Sequence, residues 1–142
     1  MTHSVITLDT NVVVSAQLNP FGAPGRIWDL VTARQIQLAY DDRILLEYET
    51  VLRRPKFGFH PAHIDALLTM LEFQQSVSTK PWQFQPLPDP SDATFLEVAL
   101  AASCPLITGN TRHYPNAVRG SVTVLKPDEW LKSFILKGGV RS

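Results

Sequence analysis

Apolar residues recur along this chain in two rhythms, short β-branched runs and longer stretches at helical spacing, and the two alternate. Ser4-Val5-Ile6-Thr7-Leu8 is the first short run. It is closed by Asp9-Thr10-Asn11, residue types that favour helix caps and turns, so the pattern predicts a strand and then a helix through Leu18. Asn19-Pro20-Phe21-Gly22-Ala23-Pro24-Gly25 breaks that helix, and helical spacing resumes over Arg26 to Arg34. Gln37-Leu38-Ala39-Tyr40 reads as a second strand. Asp41-Asp42 then signals a helix start, the apolar run from Ile44 to Leu52 fills it, and Arg53-Arg54-Pro55 stops it.

Pro61 suits a first helical turn, and Ile64, Leu67, Leu68, Leu71 and Phe73 to Gln75 continue at helical spacing. From Lys80 to Pro90 prolines interrupt the chain, which limits Trp82-Gln83-Phe84 to a short edge strand within a connector. Ser91-Asp92 opens a helix containing Phe95, Leu96, Ala99, Leu100 and Ala102, and that helix ends before Pro105. Leu106-Ile107-Thr108 is a strand closed by Gly109-Asn110, Val122 to Leu125 a last strand, and Pro127-Asp128-Glu129 the start of a final helix toward Phe134. No repeat or low-complexity tract interrupts the series.

Strands alternating with helices imply parallel pairing, right-handed crossovers and helices on both faces of one sheet, an α/β class. In such sheets sites form beyond the carboxyl ends of the strands. Asp9 and Asn110 both follow predicted strands.

Composition narrows the picture. With 142 residues, 44% hydrophobic and 18% charged, the chain fits one globular domain, expected over residues 1–142. Basic and acidic residues balance at 13 each, so any nucleic-acid contact has to be local rather than drawn by a whole-molecule field. Arg53, Arg54 and Lys56 form one basic cluster and Lys132, Lys137 and Arg141 another, either of which also reads as solvated surface. The lone Cys104 excludes an internal disulfide and a multi-cysteine zinc site. Nowhere do about 18 apolar residues run together, and Val5 to Leu8 is too short for a signal-peptide core, so we expect a cytoplasmic protein with no membrane segment.

The candidate chemistry lies in carboxylates. Asp9 after the first strand, Glu47 in the helix Ile44 to Leu52, and Asp89 and Asp92 at a helix start are positioned to converge on one pocket. Packed together they repel, and either protonation or a hard divalent cation such as Mg²⁺ or Mn²⁺ relieves the repulsion. No nucleophile elbow, phosphate-cradling glycine loop or histidine pair at zinc spacing competes. Each acid also has a plainer reading. Asp9 is placed to cap the following helix, Asp92 to complement its own helix N-terminus, and Asp89, before Pro90, to form a turn. Glu49 has Arg53 one turn ahead, a favourable i,i+4 pair, whereas Glu47 has Val51 there and keeps its carboxylate freer.

The strings Ile6-Thr7-Leu8-Asp9-Thr10-Asn11-Val12-Val13, Leu46-Glu47-Tyr48 with Val51-Leu52-Arg53-Arg54-Pro55-Lys56-Phe57, Asp89-Pro90-Ser91-Asp92, and Ile107-Thr108-Gly109-Asn110 with His113-Tyr114-Pro115 resemble PIN-domain ribonucleases. They are most similar to the branch of toxins in toxin–antitoxin pairs, the VapC-like proteins, and the similarity runs from about Ser4 to Phe134. The resemblance implies a Rossmann-like α/β/α sandwich around a parallel sheet of about four to five strands. It implies Asp9, Glu47 and Asp92 as ligands of Mg²⁺ or Mn²⁺ and hydrolysis of RNA by a metal-activated water. Many members carry a further Asp where this chain has Asn110, which removes one negative charge, so one strongly bound ion is expected.

Further roles follow as expectations. Asp92 or Asp89 orients the attacking water. Thr10 and Asn11 donate to Asp9 or to the scissile phosphate, although Asn11 also reads as a cap and Thr108 as strand packing. His113 either positions RNA or is a structural, hydrogen-bonded histidine. The resemblance implies a cognate antitoxin protein and a homodimer or higher homo-oligomer as partners. Trp28, Trp82 and Trp130 read as core residues first. A haloacid-dehalogenase-type phosphatase also has an Asp after its first strand, but its general acid would stand where this chain has Asn11. A degenerate nuclease fold that only binds is the other alternative, motivated by Asn110 and the zero net charge.

Overall fold

In the computed structural model, which describes residues 4–83 and 86–138, five strands pair in parallel. They are β1 (Ser4–Leu8), β2 (Ile36–Tyr40), β3 (Gln75–Ser76), β4 (Leu106–Ile107) and β5 (Val124–Leu125), in the order β3-β2-β1-β4-β5. Val5 lies opposite Gln37, Thr7 opposite Leu106, Ala39 opposite Gln75, and Leu106 opposite Val124. The helices are α1 (Thr10–Leu18), α2 (Ala23–Thr32), α3 (Asp42–Leu52), α4 (Pro61–Leu71), α5 (Ala93–Ala101) and α6 (Pro127–Leu136). The architecture is the α/β, Rossmann-like sandwich anticipated from the alternation of elements.

The central strands are buried on both faces. Ile6, Leu8, Ile36, Leu38, Ala39, Leu106 and Ile107 all belong to the core, as a parallel sheet with helices on either side requires. Right-handed crossovers travelling from β1 toward β3 and from β3 back to β4 pass over opposite faces, so the chain reverses direction between β1 and β4. The carboxyl ends of those two neighbours open the crevice that α/β sheets use for sites. Helix α1 starts directly at that opening and is hemmed in on several sides, with Thr10, Val12, Val13, Val14 and Ala16 all buried.

Four local expectations change. Helix α2 begins at Ala23, not Arg26. Pro24 sits in its first turn, where a fixed φ helps and a missing N–H costs nothing. Gly25 lies so close to Pro20 that a Cβ there would fall 2.3 Å from the Pro20 carbonyl oxygen. Helix α4 stops at Leu71, so the helical spacing through Gln75 is broken. The Gln74 side-chain oxygen accepts a hydrogen bond from the Leu38 N–H at 3.0 Å, and Gln75-Ser76 then add β3 to the β2 edge. Trp82 and Gln83 form no strand, and Phe84 lies outside the described residues. Strand β5 is confined to Val124–Leu125, and Val122 and Thr123 lead into it.

The connector after β3 is tied down by charge. Arg43 on α3 donates to Glu97 of α5 at 2.7 Å and to the Thr79 hydroxyl at 3.0 Å, and the Trp82 N–H donates to the other oxygen of Glu97 at 2.6 Å. Trp28 and Trp130 are core residues and Trp82 is half-buried; Trp130 stacks on Phe134 with centroids 4.8 Å apart. Arg141 of the second basic cluster lies outside the described residues.

Candidate active site

Asp9 leaves β1 at the crevice, its N–H bonded to the Ile107 carbonyl at 2.9 Å. It stands at the N-cap position of α1, yet its side chain makes no capping bond. Instead Oδ2 accepts from the Thr108 hydroxyl at 2.9 Å, the Tyr114 hydroxyl at 3.2 Å and Asn11 Nδ2 at 3.5 Å. The residue is only 6% exposed. Burial raises its carboxyl above the usual value, while the Thr108 and Tyr114 hydrogen bonds pull the other way.

Asp92 closes the 3-10 turn Pro90–Asp92 and precedes α5, again without a side-chain cap bond. Its Oδ2 is buried and has no hydrogen-bond partner among the described residues; His113 Nδ1 stands 3.5 Å away. Burial, then Asp9, push its carboxyl up to about 6, with Asp89 and Glu47 adding to the rise and His113 opposing it. Glu47 projects from the middle of α3, half-buried, and accepts a hydrogen bond from the Thr10 hydroxyl. Its neighbour Glu49 pairs with Arg53 at 3.0 Å, one helical turn on.

Asp9, Glu47 and Asp92 therefore come to one end of the sheet and act on the same groups. Both other acids raise the Asp92 carboxyl, and burial, with all three acids adding to it, pushes the Tyr114 hydroxyl far above its usual value. They do not close up further. Among the described residues no set of three or more His, Cys, Asp or Glu side chains could hold a metal ion as placed. Glu47 in particular is turned toward Thr10.

The remaining candidates surround this centre. Asp89 is exposed, and its Oδ1 accepts from the Ser91 N–H at 3.0 Å and the Ser91 hydroxyl at 2.8 Å, bonds that hold its carboxyl below the usual value. Asn110 is exposed, its Oδ1 accepting from the Arg112 N–H at 3.2 Å. Asn11 ties the two strands together, because its Oδ1 accepts from the Gly109 N–H at 3.0 Å. Thr108 is fully buried. The Thr10 hydroxyl donates to Glu47, a partner that was not among those expected for it, while the Thr10 backbone bonds to Asp9.

Sequence reasoning passed over two tyrosines. Tyr114 stands inside the string His113-Tyr114-Pro115, but nothing local reveals that its hydroxyl meets Asp9, 105 residues earlier. Tyr48, beside Glu47, reads as one more apolar position of α3; its hydroxyl donates to the Leu8 carbonyl at 2.5 Å, bracing the residue before Asp9.

An α/β crevice with a buried acid at the end of β1 and further acids from α3 and from the start of α5 defines a family-level class, and comparison with known proteins agrees. A PIN domain family model matches residues 5–112, and the chain belongs to that family. It is similar to the Uncharacterized protein MJ1680 of Methanocaldococcus jannaschii, 32% identical over 108 residues, spanning 74% of this chain and 70% of that protein. PIN domains are generally nucleases and typically use divalent metal ions. The chemistry of the donors suits such an ion, because they are carboxylate oxygens and Asp92 Oδ2 accepts no hydrogen bond among the described residues, although the three acids as placed do not form a closed cage. Among the described residues no helix is long and apolar enough to cross a membrane.

Proposed function

We propose that this protein is an endoribonuclease that depends on Mg²⁺ or Mn²⁺, with Asp9, Glu47 and Asp92 as ligands. The observation that carries the reading is Asp92 Oδ2, a buried carboxylate oxygen that feels two further acids, accepts no hydrogen bond among the described residues and has only the His113 ring, 3.5 Å away, beside it. Leaving such a group unpaired is costly, and a divalent cation is the partner that its acidic surroundings favour. When bound, the cation supplies Lewis acidity, easing deprotonation of water and neutralising charge that grows on the phosphate.

The side chains around it divide the remaining work. Thr108 and Tyr114 hold Asp9 in orientation, and Thr10 holds Glu47. Asn11 Nδ2, only loosely engaged with Asp9 at 3.5 Å, is placed to donate to a phosphate oxygen. His113 stands half-exposed at the rim, 3.5 Å from Asp92, where it is placed to meet RNA. Asp89 lies next to Asp92 and contributes negative charge or orients water. Asn110 brings no charge, and its side-chain oxygen is already committed to Arg112. One strongly bound ion therefore suffices, and two equal tight Mn²⁺ sites in titration calorimetry would contradict this.

By resemblance we assign the protein the role of toxin in a toxin–antitoxin pair, acting in the cytoplasm on RNA. A cognate antitoxin protein would block the crevice, and the chain would pair with itself as a homodimer or larger homo-oligomer. A second reading, a binding module without catalysis, draws on the uncharged Asn110 and on carboxylates that stop short of a closed cage. Purified protein incubated with mixed RNAs, with and without Mg²⁺ or Mn²⁺, separates the two. The nuclease reading expects cleavage that chelation abolishes and that Asp9→Asn lowers by about a hundredfold or more, a loss of several kcal/mol of transition-state stabilisation. Equal cleavage by both proteins would point to a contaminant.

A further inference from the structure

Tyr114 is among the largest fully buried side chains of the molecule, and a phenylalanine would fill the same space. Burying its hydroxyl is unfavourable unless that hydroxyl finds a partner. The partner is Asp9 Oδ2, at 3.2 Å. The backbone around the ring is pinned: the Tyr114 N–H donates to the Thr111 carbonyl at 3.0 Å, and Arg119 Nε donates to the Tyr114 carbonyl at 2.5 Å. The side chain is thereby aimed at the acids.

A carboxylate oxygen accepts comfortably in two lone-pair directions. At Asp9 Oδ2 the two shorter bonds, from Thr108 at 2.9 Å and Tyr114 at 3.2 Å, take these directions, and Asn11 Nδ2 stands farther off at 3.5 Å. Resting on the proposed metal-dependent reading, we infer that Tyr114 is a positioning residue: with Thr108 it saturates Oδ2 of Asp9 and turns Oδ1 toward the cation. Oδ1 would then be the Asp9 oxygen left to hold a cation. A neutral donor suits this task because an Arg or Lys in its place would cancel the charge that attracts the cation.

The test is Tyr114→Phe, with its fold checked by circular dichroism and its Mn²⁺ affinity measured by calorimetry. Loss of a partner that orients a metal ligand weakens metal binding by about ten- to a hundredfold. We expect that weakening, with the KM for RNA unchanged and kcat recovering as Mn²⁺ is raised. A core residue whose role is only to pack would not respond to excess metal in this way. Thr108→Ser, which keeps the hydroxyl, retains affinity, whereas Thr108→Val loses it to a similar degree.

If Tyr114→Phe binds Mn²⁺ like the wild type, the inference fails while the nuclease reading stands. If wild-type protein itself binds no divalent cation, both fall. Should the variant not fold, 3-fluorotyrosine incorporated into otherwise wild-type protein supplies a second readout, its resonances assigned with Tyr40→Phe and Tyr48→Phe. The Tyr114 fluorine signal should move on Mg²⁺ addition while that of Tyr40 stays in place; an unmoved Tyr114 signal would overturn the assignment.

Discussion

The Thr10 hydroxyl donates a hydrogen bond to the Glu47 carboxylate, joining the first turn of α1 to the middle of α3 across 37 residues of sequence. Glu47 is thus held in the crevice by a residue adjacent to Asp9, so the orientation of one acid is linked to the backbone that carries the other. Thr10→Val removes that donor while keeping the branched shape. Cleavage of RNA at limiting Mn²⁺ should drop about tenfold, and Thr10→Ser should restore it. An undiminished rate in Thr10→Val would show that Glu47 is oriented by something else.

The stability of the metal-free protein should depend on pH through Asp92. Burial and the neighbouring acids push its carboxyl up to about 6 in the fold, from 3.8 for the free group. The folded state therefore binds a proton more tightly than the unfolded chain, and folding is favoured where that proton is bound. This contribution is complete below about pH 3.8 and disappears as the pH rises through 6. Melting temperatures taken from pH 7.5 down to pH 5 should rise more in wild-type protein than in Asp92→Asn. Identical trends in the two proteins would remove Asp92 as the cause.

Gly25 is a packing requirement. A Cβ there would fall 2.3 Å from the Pro20 carbonyl oxygen and 2.6 Å from the Pro20 Cα, both backbone atoms that cannot swing aside. Gly25→Ala should cost about 3 kcal/mol in urea unfolding, at the upper end for overpacking. Gly58, where the added Cβ meets nothing, is a contrasting case, its φ of +68° making the strain one of backbone conformation alone.

Arg43 and Glu97 form a clamp whose removal should be asymmetric. Glu97 is 9% exposed and accepts from Arg43 and from the Trp82 N–H. Arg43→Met takes away the cation and leaves a buried carboxylate, which should lower stability by about 1–3 kcal/mol. Combining it with Glu97→Gln should recover part of that loss in the same unfolding experiment. A double variant less stable than Arg43→Met alone would show that the Glu97 charge is held chiefly by groups other than Arg43, such as the Trp82 N–H.

The alternation of β-branched runs with helical spacing was enough to establish the α/β class, because strand and helix periods are local properties of the chain. Residue type at strand ends likewise singled out Asp9, and the i,i+4 relation to Arg53 singled out Glu49 as a paired surface acid. Where neighbours distant in sequence decide the outcome, local pattern misled. Pro24 and Gly25 look like breakers, yet Pro24 fits a first turn and Gly25 fits against Pro20. Gln75 continues a helical rhythm, yet an open edge on β2 offered its backbone a partner. Tyr114 and Thr108 carry no signal of their relation to Asp9, since a hydrogen bond between residues about a hundred positions apart exists only once β1 and β4 lie side by side. The spacing of the acids, their burial and the donors assigned to each oxygen are likewise set by the closing of the sheet, because desolvation and hydrogen bonding depend on which groups fold together and not on their order along the chain.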